Sequence, residues 1–473
     1  MRKYTFIGIL ILMAGLGAAC EDQLNALPGQ SKVEGNVILD QKTAEVALNG
    51  VYYRFADGGD DRGTPSTMWA SSHEISPGLL TGYIRYPYGS VAMEENSSLT
   101  ANDYSVANLW SGSYKIINAA NGVIKQIAEV DDNEFVGDRK NEIIAEARWL
   151  RAYGHYNLLR YFAQFYDQKS KYGVLLRKEF VTATNIAQAR SSVKASYDCI
   201  LEDLDFAERY APDENRNIYV NQWVAKGLKA RVLMMRGTEG DYEKVITLTK
   251  DIIEKGPYEL EENLKDIFKE KGLASKEVML GIEPFVNQVR HYDDYAYREE
   301  PAYLRTTTDT LLYENDPRGE WMRGAIGEGE GITKYLGNQV EVCYAMRLTE
   351  MYLLQAEAIV RSGGLLSDAK ALLKEVMGHA GITVFTELDA IADRDELLFE
   401  IYKETARNLM LEDGIEWSAL IRLPMERILE VKPAIREQNY IILPIPADEF
   451  EKNPVIGDQN PGQNNSPGIS VHE

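Results

Sequence analysis

Helical pairs stacked into a tetratricopeptide-like solenoid, interrupted by long irregular loop excursions, are the mainly α fold that this sequence predicts. Three observations carry it. Apolar residues recur at helical spacing along most of the chain, far more often than in strand alternation. Helix–break–helix units recur at close to the ~34-residue tetratricopeptide period. Two long stretches rich in Gly, Ser, Pro and Tyr show little periodicity. With 473 residues, 45% hydrophobic and 26% charged, the chain has material for a large core and is neither disordered, collagen-like nor a polytopic membrane protein.

The chain opens on an export signal. Arg2 and Lys3 precede an apolar run over 6–16, and Gly17-Ala18-Ala19 are small residues of the kind a signal peptidase accepts. The run is shorter than the ~20 residues of a spanning helix. The triplet ends on Cys20, so residues 1–19 read as a lipoprotein signal peptide and Cys20 as the lipid anchor, although Gly17 stands where a lipobox usually has Leu. A multiply acylated cysteine is a firm membrane anchor. The alternative is an ordinary secreted protein with Cys at its mature end. The body then runs over 20–473, with an N-terminal part of about 20–270 and a C-terminal part of about 271–473.

Within the body, helical stretches are expected over 43–55, 105–129, 138–165, 193–210 and 393–420. Trp223 to Arg236, a break from Gly237 to Gly240, a helix from Asp241 to Glu254 and then Pro257 make one tetratricopeptide-like unit. Over 347–362, Leu348, Met351, Tyr352, Gln355, Ala358 and Ile359 share one helical face, and Gly363-Gly364 stops the helix. Ser367 is the expected N-cap of the next helix, which carries Ala369, Leu372, Leu373 and Val376. Such pairs cannot bury their apolar faces alone and must stack. The excursions are expected over 57–104 and 283–342, and loops of that length are usually functional or flexible.

Charge narrows the partners. Fifty-one Lys and Arg against 73 Asp and Glu leave a net charge of −22, which opposes binding to nucleic acid and adsorption on anionic lipid. Of the three cysteines, Cys199 and Cys343 sit in apolar-periodic surroundings and read as small buried hydrophobes rather than a disulfide. His73, His155, His291, His379 and His472 lie far apart without metal-ligand spacing, so no zinc site is written locally, and no metal or other cofactor is expected. Asp57, Asp60 and Asp61 are near enough to meet around calcium but lack EF-hand spacing. No P-loop or Gly-x-Ser-x-Gly elbow occurs, and the acidic Gly327-Glu328-Gly329-Glu330-Gly331 reads as a mobile turn rather than a phosphate cradle. Glycosidases need two carboxylates a few ångströms apart, and among 73 acids no pair stands out. Arg148 and Arg151 are expected to pair with acids such as Glu142 and Glu146 at helical spacing.

The excursions concentrate aromatic residues beside charges. The first holds Trp69, Tyr83, Tyr86 and Tyr88 around Arg85; the second holds Tyr292, Tyr295, Tyr297 and Tyr303 with Arg290, Asp293 and Asp294, then Trp321. Sugar rings lay apolar C–H faces on flat aromatics while their hydroxyls seek carboxylate, amide and guanidinium partners. The candidate ligand-binding residues are therefore Trp69, Tyr83, Arg85, Tyr86, Tyr88, Arg290, Tyr292, Asp293, Tyr295 and Trp321. The competing reading of each aromatic is that it packs its loop onto the solenoid.

Several strings, in order along nearly the whole chain, resemble the SusD/RagB family of outer-membrane nutrient-binding lipoproteins. They are Cys20, Ala47-Leu48-Asn49-Gly50-Val51-Tyr52, the run from Trp110 to Asn121, Ala145-Glu146-Ala147-Arg148-Trp149-Leu150-Arg151-Ala152-Tyr153, the run from Ala225 to Leu233, the run from Arg347 to Ala358, and Leu443-Pro444-Ile445-Pro446 with the Asn/Pro/Gly-rich end. One segment departs: where the family often has Glu-Arg and then Glu-Gly-Arg-Trp, this chain has Glu404-Thr405-Ala406-Arg407 and Glu412-Asp413-Gly414-Ile415-Glu416-Trp417. Glu21 and Asp22 after the cysteine resemble the signal for display on the outer face of the outer membrane. The resemblance implies a surface lipoprotein that binds an oligosaccharide or polysaccharide without catalysis and hands it to a SusC-like TonB-dependent transporter. An oligopeptide in place of the glycan, an anchored glycoside hydrolase and a pure interaction scaffold are the alternatives.

Overall fold

The computed structural model describes residues 37–95, 99–297, 301–327 and 329–463. The signal peptide over 1–19, the anchor Cys20, the acidic pair Glu21 and Asp22, Glu328 and His472 lie outside the described residues.

Ten framework helices carry the body: α1 (Gln41–Phe55), α2 (Tyr104–Ile127), α3 (Arg139–Phe162), α4 (Val193–Tyr210), α5 (Gln222–Arg236), α6 (Asp241–Lys255), α7 (Leu348–Arg361), α8 (Leu366–His379), α9 (Arg394–Leu409) and α10 (Ile415–Leu420). Their starts are written in short polar side chains. Asp40 and Thr43 form a reciprocal capping box, and Asp103, Ser192, Asn221 and Asp393 each accept from a first-turn amide. Gly237, in the left-handed region, ends α5, and Gly240 leads into α6. Ser367 is not the expected cap: it lies inside α8, whose N-cap position is Leu365.

From α2 to α8 each helix packs on the next in sequence, the pattern of a solenoid. The stack continues from α6 to α7 although the whole second excursion lies between them, and α1 reaches across the first excursion to α2 and α3. The excursions are therefore insertions in one helical stack. Helix α3 is covered along most of its length, being held between α2 and α4. At Gly154 the α2–α3 approach is so close that a β-carbon would stand 2.7 Å from Ile117 Cγ1.

Arg148 and Arg151 of α3 take partners from the neighbouring helix instead of their own. Arg151 makes a two-pronged pair with Asp203 of α4 at 2.6 and 2.8 Å, and Arg148 lies over the Phe206 ring. Glu142 and Glu146 pair with Arg139. Helix packing thus overrides the i,i+4 expectation, because α4 is the surface that α3 buries against.

The expected helix over 393–420 is broken. Leu411, Asp413 and Gly414 take left-handed backbone between α9 and α10, and two buried charges there organise the interior. Glu412 receives Arg347 at 2.6 and 2.9 Å and Lys334 at 2.5 Å. Asp413 receives Arg231 at 2.8 Å, Arg160 at 3.1 Å and the Tyr153 hydroxyl at 2.6 Å, with His73 Nδ1 at 3.1 Å. Burial alone would raise the Asp413 carboxyl; Arg160, the His73 contact and Arg231 hold it well below the usual carboxylate range. One turn thereby gathers α3, α5 and the segment before α7.

Among the described residues eight strands lie outside the helical stack and were not legible as alternation: β1 (Gly58–Asp61), β2 (Thr64–Thr67), β3 (Ile84–Arg85), β4 (Val278–Ile282), β5 (Tyr303–Leu304), β6 (Arg323–Ile326), β7 (Gly329–Ile332) and β8 (Cys343–Arg347). β1 and β2 form a hairpin, β4 pairs antiparallel with β8, and β3-β5-β7-β6 form one sheet. That sheet takes β3 from the first excursion and its other strands from the second.

Candidate ligand-binding site

The two excursions meet. Arg85 of β3 lies opposite Tyr303 of β5, and the Tyr86 hydroxyl donates to Asp294 Oδ1 at 2.6 Å, across 208 positions of sequence. Deeper, the Tyr295 hydroxyl donates to Glu74 Oε2 at 2.8 Å, and His291 Nε2 stands 2.7 Å from the same oxygen. Glu74 and the Asp293–Tyr297 segment both belong to single π-helical turns, Ser71–Ile75 and Asp293–Tyr297. Such wide turns re-aim side chains and are common at functional sites.

The ten predicted residues separate into an inner and an outer set. Trp69, Tyr83, Tyr86, Asp293 and Tyr295 are buried. Trp69 stacks on His73 at 3.8 Å and edges onto Phe55; the Tyr83 hydroxyl bonds that of Tyr402 on α9. These aromatics fasten the excursions to the solenoid and present no ring face to solvent. Arg85, Tyr88 and Tyr292 are exposed, the two tyrosines by 55% and 41%, while Arg290 and Trp321 are half-buried. Trp321 stacks on Phe268 in another part of the second excursion.

Around the outer set runs an amphipathic rim. Tyr88 edges onto Tyr86 at 5.8 Å, and Tyr292 lies 6.1 Å from Tyr297, which is 69% exposed. Guanidiniums alternate with carboxylates: Arg62 Nη2 is 3.0 Å from Asp293 Oδ2, and Arg290 Nε is 3.1 Å from Asp294 Oδ2. Arg62 is largely exposed, so its remaining N–H groups face water. The aspartates Asp57, Asp60 and Asp61 do not converge on a cation site here; Asp60 caps the Gly63 amide at 2.7 Å and Asp61 faces Arg290 at 3.8 Å. Six non-glycine residues among those described have left-handed backbone, and Asp57, Arg62 and Asn287 of this rim are three of them. Held strain of that kind clusters at functional sites.

Sequence reasoning missed Arg62, Tyr53, Val286 and Val289. Tyr53 meets Phe285 edge-on at 6.0 Å, and both valines are exposed. The signal for Tyr53 was present, since it falls off the α1 face made by Leu48, Val51, Tyr52 and Phe55. Arg62 and the valines carry no period that marks them.

Comparison with known proteins follows the same outline. A family profile described as "SusD-like, starch-binding associating with outer membrane" matches residues 85–234, and one described as "SusD family" matches 286–440. A SusD-like protein of Bacteroides ovatus is 24% identical over 285 residues, 58% of this chain and 49% of that protein. The SusD-like protein P2 of Formosa agariphila is 24% identical over 255 residues, 52% and 45% of the two chains. The chain thus spans about half the length of the curated relatives it matches. Among solved structures, a SusD superfamily protein of Bacteroides thetaiotaomicron superposes with a TM-score of 0.73 at 22% identity, covering 89% of this chain and all of that one. A SusD-like carbohydrate binding protein of Bacteroides vulgatus gives 0.68 at 20% identity over 81% and 84% of the two chains. Among the described residues no helix is long and apolar enough to cross a membrane.

Proposed function

Since this chain belongs to the SusD/RagB family of outer-membrane-associated binding proteins, we propose that it is a cell-surface lipoprotein that captures an oligosaccharide or polysaccharide at the rim between its two excursions. The glycan is released unchanged to a SusC-like TonB-dependent transporter, and the lipid on Cys20 keeps receptor and barrel in one membrane. The observation that carries this reading is that exposed tyrosine rings of both excursions, Tyr88 in the first and Tyr292 with Tyr297 in the second, accompany the Arg62–Asp293 and Arg290–Asp294 pairs, Tyr88 through its contact with Tyr86, which bonds Asp294.

The chemistry suits capture. Tyrosine buries large ring area with few rotors to freeze, so a sugar face binds at low entropic cost. Arg62 offers exposed guanidinium donors to hydroxyls, while the buried Asp293 and Asp294 hold Arg62 and Arg290 in place. The four rim groups Arg62, Arg290, Asp293 and Asp294 already hold one another, an arrangement that favours orienting a ligand over attacking it.

Calorimetry of the full chain against pooled soluble glycans and, separately, pooled oligopeptides tests the reading. Saturable heat with glycans, and unchanged chain length of the glycan afterwards, is the expected result. Heat with peptides alone selects the oligopeptide receptor, and release of shorter glycans abolished by a single carboxylate substitution makes the chain a hydrolase.

A further inference from the structure

Behind the rim, Glu74, His291 and Cys343 converge from three distant parts of the sequence. They offer one oxygen, one nitrogen and one sulfur, all within 4.8 Å of one another, and all three residues are buried. Glu74 comes from the π-helical turn of the first excursion, His291 from the turn Arg290–Tyr292 in the second, and Cys343 from the start of β8. We propose that these three side chains form a binding site for a thiophilic divalent cation of the zinc type, at the point where the excursions are joined to the solenoid.

The donor set is the first argument. Imidazole nitrogen, thiolate sulfur and carboxylate oxygen are the ligands of zinc, whose tetrahedral bonds of about 2.0–2.3 Å set ligand atoms roughly 3.3–3.8 Å apart. From a span of 4.8 Å, closure on an ion requires a contraction of at most about 1–1.5 Å in the widest pair.

The tautomer is the second. His291 Nδ1 faces the Val340 carbonyl, which can only accept, so Nδ1 carries hydrogen. Nε2 is then the nitrogen turned to Glu74 Oε2; at 2.7 Å a proton lies between them, and a metal ion takes that place only as the two atoms part to about 3.3 Å. The Nδ1–carbonyl bond is also the outer contact that orients metal-bound histidines. The third is the other carboxylate oxygen. Glu74 Oε1 is buried with no well-formed hydrogen bond, its carboxylate facing the Cys343 thiol of the cluster itself, whereas Oε2 already takes the Tyr295 hydroxyl. A buried acceptor so weakly served is costly, and a cation satisfies it.

Charge balances in this arrangement. One divalent ion with thiolate, carboxylate and neutral imidazole is neutral overall, as a buried site requires. Binding to the imidazolium and thiol forms expels two protons, one from His291 Nε2 and one from Cys343 Sγ. Thiolate ligation requires the metal to displace the Cys343 proton. Because the three residues are buried, loading takes place as the chain folds.

The test uses full-length protein refolded with Zn2+ or Co2+ and dialysed against metal-free buffer. The expected result is about one ion per chain by elemental analysis and, with Co2+, a thiolate-to-metal charge-transfer band. Both are lost in Cys343→Ser and kept in Cys199→Ser, which alters a buried cysteine outside the cluster. A second reading protects against misfolding of the variant: wild-type refolding in weak buffer with a pH indicator should show two protons released per Zn2+. Substoichiometric metal with no charge-transfer band in the wild type would overturn the proposal and leave the cluster as a His291–Glu74 ion pair.

Discussion

The turn at Leu411–Gly414 and the rim between the excursions use the same materials and both bury their carboxylates, but the rim exposes Arg62 and its tyrosine rings. Each combines carboxylates, guanidiniums, tyrosine hydroxyls and left-handed backbone at non-glycine residues. In the interior turn Glu412 and Asp413 are buried and engaged on several sides by Arg347, Lys334, Arg231, Arg160, Tyr153 and His73. At the rim Asp293 and Asp294 are backed by Arg62 and Arg290, while Tyr88, Tyr292 and Tyr297 stay open. Charges that are wholly occupied by one another fix position, whereas the exposed Arg62 and tyrosine rings leave capacity for a ligand. On the proposed function, the same residue types serve the fold in one place and recognition in the other.

If that division is right, damage to the interior turn should cost stability and leave ligand affinity per folded molecule unchanged. The largest effect is expected from Asp413→Asn, which strands Arg160 and Arg231 beside a neutral amide. Breaking a buried pair costs about 3–5 kcal/mol, read as a lower urea midpoint.

Glu416 gives the next effect and a sign. Burial pushes its carboxyl up to about 8, with backbone hydrogen bonds to its own amide and that of Leu411 insufficient to hold it down. Its folded form therefore keeps a proton that the unfolded chain has lost. Stability from this group is present below the unfolded value of 4.5 and declines as pH rises toward about 8, by about 1 kcal/mol per pH unit. Glu416→Gln should flatten that slope, measured by denaturant melts across the window.

Gly414→Ala is expected to cost somewhat less, about 1–3 kcal/mol. Its φ is +63°, and a β-carbon would come within 2.6 Å of the Tyr161 hydroxyl and 2.8 Å of Pro77 Cγ. At the rim the pattern inverts: Tyr292→Ala should leave the melting midpoint within experimental error and weaken glycan binding roughly fivefold, about 1 kcal/mol, by calorimetry.

The helices and the family were legible because helical period and short polar caps are local signals. The extents of α4, α5 and α6 follow from Ser192, Asn221 and Gly240 with little reference to the rest of the chain. The break inside 393–420 was not legible, since Leu411 and Asp413 adopt left-handed backbone held by partners distant in sequence, among them Arg160, Arg231, Tyr153 and Tyr335. The site was half legible. Aromatic enrichment marked both excursions, but the β3–β5 pairing that joins them is a two-residue ladder with no alternation to read. Which tyrosines face outward depended on that pairing. Trp69, Tyr83 and Tyr295 look the same in sequence as Tyr88 and Tyr292, yet they pack inward.

The most direct test is the glycan affinity of the double variant Tyr88→Ala/Tyr292→Ala beside the wild type, with the unfolding midpoint of each recorded on the same sample. A loss of tenfold or more in affinity at an unchanged midpoint is expected if opposed ring faces grip the sugar. Equal affinity in the two proteins would contradict it and move recognition away from this surface.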